Sequence, residues 1–271
     1  MINILERGEP CSTDQLDQKL RGGSHKLVLS FYIVAEIAAP LCLPTSKTNV
    51  MRLLNDLEKL PVVFMHSGID RLELEGAVNA FVSNCEYRGI SPFVSRFDET
   101  VDLYASPPTR LFLNYSLAET VWDLYCHGAL KGLESYAHTM RQRISADRSL
   151  GKAPSLKGNF VSMIERNLML NHIPFTNVSL PDFANWVYEE PFRCPSVRLC
   201  YEVWHKIVKN KTDLLEDSDM EDYQHLTCLP YVELMTLDRR MHGYVSQVSA
   251  TLDLDYRNRI FKSVQDVVFQ I

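Results

Sequence analysis

Two short apolar runs near the start of the chain, with a helical pattern between them, constrain the fold more than any other feature. Residues 26–31 follow a glycine turn and residues 61–65 begin with a proline, and short apolar runs bounded in this way are typical of buried strands. Between them, residues 46–60 carry apolar side chains at helical spacing, which predicts an amphipathic helix. This alternation of strand and helix favours an α/β fold with a parallel sheet.

The middle of the chain has a different pattern. From about residue 70 to residue 210 the apolar spacing is mostly helical, and strand patterns return only near the C-terminus. We therefore predict one domain over residues 1–271, in which a helical insertion occupies residues 70–210. The predicted strands of a mainly parallel sheet lie near residues 26–31, 62–65, 232–237 and 259–263.

Composition and charge exclude several classes of protein. The chain is 46% hydrophobic, which suffices for an ordinary core, and no apolar run reaches the roughly 18 residues of a membrane-spanning helix. The seven cysteines are scattered without a Cys-x-x-Cys pair, so we expect reduced thiols in the cytoplasm. The N-terminal residues lack the pattern of a secretory signal. A net charge of −6 disfavours a broad basic face for nucleic acid and suits a site built from carboxylates.

The most specific stretch of the sequence is residues 222–241. It predicts a helix bearing Asp222, a turn at Pro230, a short buried strand, and Asp238 where this strand gives way to a helix. Open α/β sheets bind ligands at the carboxyl ends of their strands, so Asp238 is a candidate site residue. Both carboxylates also have a structural interpretation, because Asp238 can cap the next helix and Asp222 ends an acidic run that suits a helix N-terminus. His225, one turn after Asp222, can orient that carboxylate or belong to the core.

This stretch resembles the PIN-like nucleases, particularly bacterial members with an Asp-x-x-His helix, a Leu-Pro-Tyr turn and a Thr-x-Asp-Arg strand end. The resemblance implies that Asp222 and Asp238 are acidic catalytic and metal-binding residues. It implies a third such residue in Glu36, which lies on the helix after an early strand. The resemblance covers roughly residues 1–65 and 215–271 and implies a three-layer α/β/α fold.

The chemistry implied by the resemblance is hydrolysis of phosphodiester bonds in single-stranded RNA. Clustered carboxylates bind Mg²⁺ or Mn²⁺ through their oxygens. The metal lowers the pKa of a bound water and neutralises the charge that develops on the phosphate. A ribonuclease of this kind is expected to serve as a toxin or defence component, with an antitoxin or another protein as its partner.

The chain departs from the family at its first acid. The family begins with a strand that ends in an aspartate and is followed by a helix, whereas residues 1–6 of this sequence look like that helix. We expect the strand to lie upstream of a start assigned too far downstream; alternatively, the chain has been shortened or has lost this ligand. A lost ligand favours an alternative function, that of a catalytically inactive PIN-like scaffold acting through protein binding. A helical adaptor unrelated to nucleases is the third interpretation.

Overall fold

The computed structural model describes residues 10–43, 45–100, 115–126, 128, 133–149, 156–175, 178–263, 266–267 and 270. The chain divides into two compact units. The first comprises Met1–Ser67, Phe93–Glu134 and Phe261–Ile271 and is called the sheet unit below. The second comprises Gly68–Pro92 and Ser135–Ile260 and is called the helical unit.

The described residues form mostly helices, with a few short strands. In chain order the elements are α1 (Pro10–Gly22), β1 (Leu27–Ser30), α2 (Phe31–Ala38), α3 (Lys47–Glu58), β2 (Val62–Met65), α4 (Ile69–Val82), β3 (Phe93–Val94), α5 (Leu117–Cys126), α6 (Leu133–Ser149), α7 (Leu156–Leu170), α8 (Leu180–Glu189), α9 (Pro195–Lys209), α10 (Asp217–His225), a 3-10 turn (Leu226–Tyr231), β4 (Met235–Thr236), α11 (Arg239–Leu252) and β5 (Ile260–Phe261).

The sheet unit is built on the parallel pair of β1 and β2, in which Leu27 lies beside Val62 and Ser30 beside Met65. β3 joins the other edge of β2 in the antiparallel direction. Helices α2, α3 and α5 cover these strands and contribute to one apolar core, whose fully buried members include Leu29, Val34, Leu54, Leu57 and Val121. The predicted strands at 26–31 and 61–65, and the helix between them, are confirmed.

The helical unit has two apolar clusters, and α9 contributes to both. One cluster joins α4, α7 and α8 and includes Leu74, Ile164 and Phe183. The other joins α6, α10 and α11 and includes Met220 and Met241. Because α9 packs against neighbours on both sides, most of its residues are buried. The buried residues of α9 are not all apolar, since Arg198 and Glu202 are buried as an ion pair with an N–O distance of 2.9 Å.

The C-terminal strands differ from the prediction. The segments predicted as strands at 232–237 and 259–263 reduce to β4 and β5, which pair with each other in a two-stranded sheet of their own. The backbone before β4 is already hydrogen-bonded, because the Arg259 guanidinium donates to the carbonyls of Leu229, Pro230 and Val232. A mixed α/β fold is confirmed for the described residues, but they do not form one parallel sheet from the four predicted strands.

The predicted end of the helical insertion, near residue 210, lies inside the helical unit. Arg148 on α6 donates to the carbonyl oxygen of Ile207 at 2.8 Å and to that of Asp213 at 2.7 Å, so the chain is bound to the same helix on both sides of this point. Helices α10 and α11 share an apolar cluster with α9. The C-terminal part of the motif therefore packs with the helices that precede it.

Candidate functional site: a polar cleft beside Asp238

An open cleft of about 560 Å³ lies in the helical unit where α10 meets the start of α11. Its lining combines four carboxylates with two guanidinium groups. The lining residues are Asn210, Asp213, Glu216, Asp219, Asp238, Arg239, Arg240, Gly243, Tyr244 and Gln247. Asp238, which the sequence predicts as a site residue, therefore faces a cavity large enough to receive a side chain or a small ligand.

Asp238 is the N-cap of α11. Its Oδ1 accepts the backbone N–H of Met241 at 2.6 Å, and its Oδ2 accepts that of Arg240 at 3.0 Å. These bonds satisfy two of the donors that the first turn of a helix leaves without intrahelical partners. The structural interpretation of this residue is thus confirmed, and both carboxylate oxygens already accept hydrogen bonds from the protein.

Arg240 lies between two other carboxylates of the cleft. Its Nε is 3.4 Å from Asp213 Oδ1, and its Nη1 donates to Asp219 Oδ2. Tyr244 donates its hydroxyl to Asp213 Oδ2 at 2.6 Å, and burial together with this bond raises the pKa of Tyr244 to about 12. A guanidinium shared by two carboxylates offsets the repulsion that they would otherwise exert on each other.

Glu216 and Asp219 form a capping box at the start of α10. The Glu216 side chain accepts the backbone N–H of Asp219, and Asp219 Oδ2 accepts that of Glu216 at 2.6 Å. The acidic run before Asp222 is expected to suit a helix N-terminus, and this arrangement confirms it. Every carboxylate of the cleft thus accepts at least one hydrogen bond from the protein itself.

The other two predicted site residues lie outside the lining of this cleft. Asp222 is on α10 and is half-buried, while Glu36 is on α2 of the sheet unit and is also half-buried; both interact with other groups of the protein. Within the part of the chain that the structure describes, no group of three or more His, Cys, Asp or Glu is arranged to hold a metal ion. The assignment of Glu36, Asp222 and Asp238 as metal ligands stays a prediction. His225 is buried.

Sequence reasoning missed most of the cleft. The acidic run that contains Glu216 and Asp219 is a local signal of a helix N-terminus, although these two residue types do not match the Ser/Thr-x-x-Glu/Gln pattern of a capping box. The contacts of Asp213, Arg240 and Tyr244 carry no such signal, because the residues that meet are separated by 21 to 31 positions.

The helices of the described residues include none that is both long enough and apolar enough to cross a membrane. A scan against protein-family models and searches of curated proteins and of solved structures found no match to this chain.

Proposed function

We propose that this protein is a catalytically inactive PIN-like scaffold that acts by binding another protein. The fold expected for such a scaffold is a three-layer α/β/α arrangement that includes the parallel pair of β1 and β2. The observation that carries the proposal is the hydrogen bonding of Asp238, because both of its carboxylate oxygens already accept backbone N–H groups of α11.

The other carboxylates of the cleft are also satisfied by groups of the protein, since Arg240 lies within ion-pair distance of Asp213 and Asp219. These contacts compensate the negative charge of the cleft without a divalent cation, for which carboxylates are the usual charged ligands.

The cleft supports the binding part of the proposal. Its carboxylates outnumber its guanidinium groups by four to two, and Arg240 is already paired with two of those carboxylates. A basic segment of another protein would therefore find favourable charge in the cleft. Charge complementarity of this kind favours the choice of partner and the rate of association more than the affinity itself.

A metal-dependent ribonuclease is the second candidate. The observation in its favour is that Asp238, just beyond β4, faces the same cleft as Asp213 and Asp219. If the carboxylates exchanged Arg240 for Mg²⁺ or Mn²⁺, they would supply oxygen ligands of the required kind. Single-stranded RNA is then the expected substrate.

An RNA cleavage assay separates the two candidates. The wild-type protein is incubated with mixed single-stranded RNAs and Mg²⁺ or Mn²⁺, alongside Asp222→Asn and Asp238→Asn. The scaffold proposal expects the wild-type preparation to cleave no faster than either variant. Cleavage by the wild type that both substitutions abolish would overturn it and establish the nuclease.

A binding measurement tests the scaffold directly. We expect a fluorescent lysine- and arginine-rich peptide to bind the wild type more tightly than an acidic peptide of equal length, with an affinity that falls as salt rises. Glu216→Gln should weaken binding several-fold, whereas Glu190→Gln, an exposed carboxylate of the same unit outside the cleft, should not. Equal affinity of the two variants would show that the cleft is not the binding surface.

A further inference from the structure

A second group of polar contacts in the helical unit centres on Glu73 of α4, which is 0% exposed. Its Oε1 accepts the backbone N–H of Ser196 at 2.8 Å and the hydroxyl of Tyr231 at 2.6 Å. Its Oε2 accepts the backbone N–H of Val197 at 3.0 Å. One carboxyl group therefore connects three elements, namely α4, the first turn of α9 and the turn that ends at Tyr231.

The first turn of α9 depends on this carboxyl group. Its first residue is Pro195, which has no N–H to donate, and the N-cap Cys194 makes no side-chain cap. The next two donors, the N–H groups of Ser196 and Val197, both go to Glu73. Glu73 thus caps a helix from another element, in place of a capping residue within that helix.

Burial opposes the charge of Glu73. Loss of water disfavours the ionised form and raises the pKa of Glu73 to about 7, although the hydrogen bonds from Tyr231, Val197 and Ser196 act in the opposite direction. The carboxyl group is therefore partly protonated near neutral pH. If the packing opened and water reached the group, its pKa would return towards the ordinary value of 4.5.

We propose that Glu73 is a proton-operated switch of the helical unit. The neutral acid favours the closed packing of α4, α9 and the Leu226–Tyr231 turn, and ionisation favours an opened packing in which the carboxylate reaches water. The direction follows from linkage, since the state that binds the proton more tightly is stabilised by it. The inference does not depend on the proposed function, because it concerns residues outside the cleft.

The groups near Glu73 include several that titrate. These titratable neighbours are Asp70, Tyr87, Cys194, Cys200, Tyr231 and Tyr256. Burial raises the pKa of each, so the thiols and phenols stay neutral at physiological pH. Asp70 keeps its own titration when Glu73 is replaced by glutamine, so that substitution separates the two carboxyl groups. Helices α7 and α8, which also pack against α4, contribute apolar side chains to the shared core.

Near Cys194, Arg193 bears a positive charge and donates to the carbonyl oxygen of Trp186. Its charge lowers the pKa of the Cys194 thiol only as a minor effect beside burial.

Hydrogen exchange at the first turn of α9 tests the switch. Exchange of the peptide that contains Ser196 and Val197 is followed from about pH 6 to about pH 8.5, corrected for intrinsic rates, in wild type, Glu73→Gln and Glu75→Gln. A pKa change from 4.5 to about 7 predicts that the opening equilibrium rises about tenfold over this range in wild type. Glu75→Gln, on the same helix but partly exposed, should behave like wild type, while Glu73→Gln should show no rise. A peptide from α11 serves as the internal reference.

Tyr231→Phe provides a second measurement should Glu73→Gln fail to fold. The bond from Tyr231 lowers the pKa of Glu73, so its removal should shift the opening transition to higher pH, which a purely structural role would not do. A pH-independent opening in wild type, or an unchanged midpoint in Tyr231→Phe, would overturn the proposal. A tenfold rise that persists in Glu73→Gln would assign the titration to another group and overturn it as well.

Discussion

Asp238 and Glu73 do the same chemical task in two different surroundings. Each carboxylate accepts two backbone N–H groups at the start of a helix, Asp238 for α11 and Glu73 for α9. Asp238 is exposed at the edge of the cleft and caps its own helix, whereas Glu73 is fully buried and caps a helix that starts more than 120 residues later. The Asp238 carboxylate is in contact with water, whereas the Glu73 carboxylate is not.

This difference separates a local feature from a tertiary one. At the surface, a capping carboxylate stays in contact with water, and its contribution to stability is that of an ordinary N-cap. In the core, the same hydrogen bonds must compensate for the lost hydration of the carboxylate. Burial raises the pKa of Glu73 to about 7, so its charge changes near neutral pH. The following substitutions are expected to enlarge or remove the contrast.

The largest effect is expected from Glu73→Ala. The substitution leaves the N–H groups of Ser196 and Val197 and the hydroxyl of Tyr231 buried without their acceptor. Because each unsatisfied buried donor costs about 1–3 kcal/mol, we expect the free energy of unfolding to fall by about 3 kcal/mol or more. Urea denaturation at pH 7 measures this loss. Glu75→Ala, a partly exposed site on the same helix, is the matched control and should change stability by less than about 0.5 kcal/mol.

The second-largest effect is expected in the pH dependence of wild-type stability. The pKa of Glu73 is raised in the folded state, so its favourable contribution is complete below pH 4.5 and is lost as pH rises through about 7. The shift from 4.5 to about 7 limits the change to about 3.5 kcal/mol at about 1.4 kcal/mol per pKa unit. The free energy of unfolding in urea is measured against pH for wild type and for Glu73→Gln. The difference between the two curves isolates the contribution of Glu73 from that of other titratable groups. A difference that stays constant from pH 4.5 to about pH 8 would show that burial does not make the contribution of Glu73 depend on pH.

A smaller effect is expected at Asp238. Replacement by alanine removes both bonds to the first turn of α11 and should lower the free energy of unfolding by about 1 kcal/mol. Asparagine also accepts such bonds, so Asp238→Asn should stay within a few tenths of a kcal/mol of wild type. Thermal unfolding of the three proteins in one buffer makes the comparison. If Asp238→Asn lowered the stability as much as Asp238→Ala, the negative charge of Asp238 would contribute more to stability than its capping hydrogen bonds.

The smallest effect is expected at Arg240. Its side chain is 33% exposed, so solvent screens its pairs with Asp213 and Asp219. We expect Arg240→Met to lower the free energy of unfolding by about 0.5 kcal/mol, with a larger loss at low salt than at high salt. Denaturation at two salt concentrations measures this dependence. A loss independent of salt would point to the packing of the arginine stem instead of its charge.

The sequence by itself determined the local features. Apolar spacing located β1, β2 and the helix between them, and Glu216, Asp219 and Asp238 are acidic residues of the kind that favours a helix N-terminus. Each of these features depends on residues that lie within four positions of one another, so the chain around them contains the whole signal.

The local sequence of α4 indicates the burial of Glu73 but not the groups that bind its carboxylate. Glu73 lies one helical turn after Ile69 and one before Ala77, on a stripe of α4 that is otherwise apolar and buried. This spacing indicates a buried carboxylate from sequence alone. It does not indicate the partner, because Ser196, Val197 and Tyr231 lie 123 to 158 residues away in the chain.

The tertiary structure alone decided the partners of the charged groups and the pairing of the C-terminal strands. The packing of α10 on α11 brings Arg240 to Asp219, and the segment between α9 and α10 brings Asp213 to the same guanidinium. The pairing of β4 with β5 likewise depends on where Arg259 binds the carbonyls before β4. The physical reason is common to these cases: burial and long-range hydrogen bonds set the energy of a polar group, and both arise only when distant segments pack together.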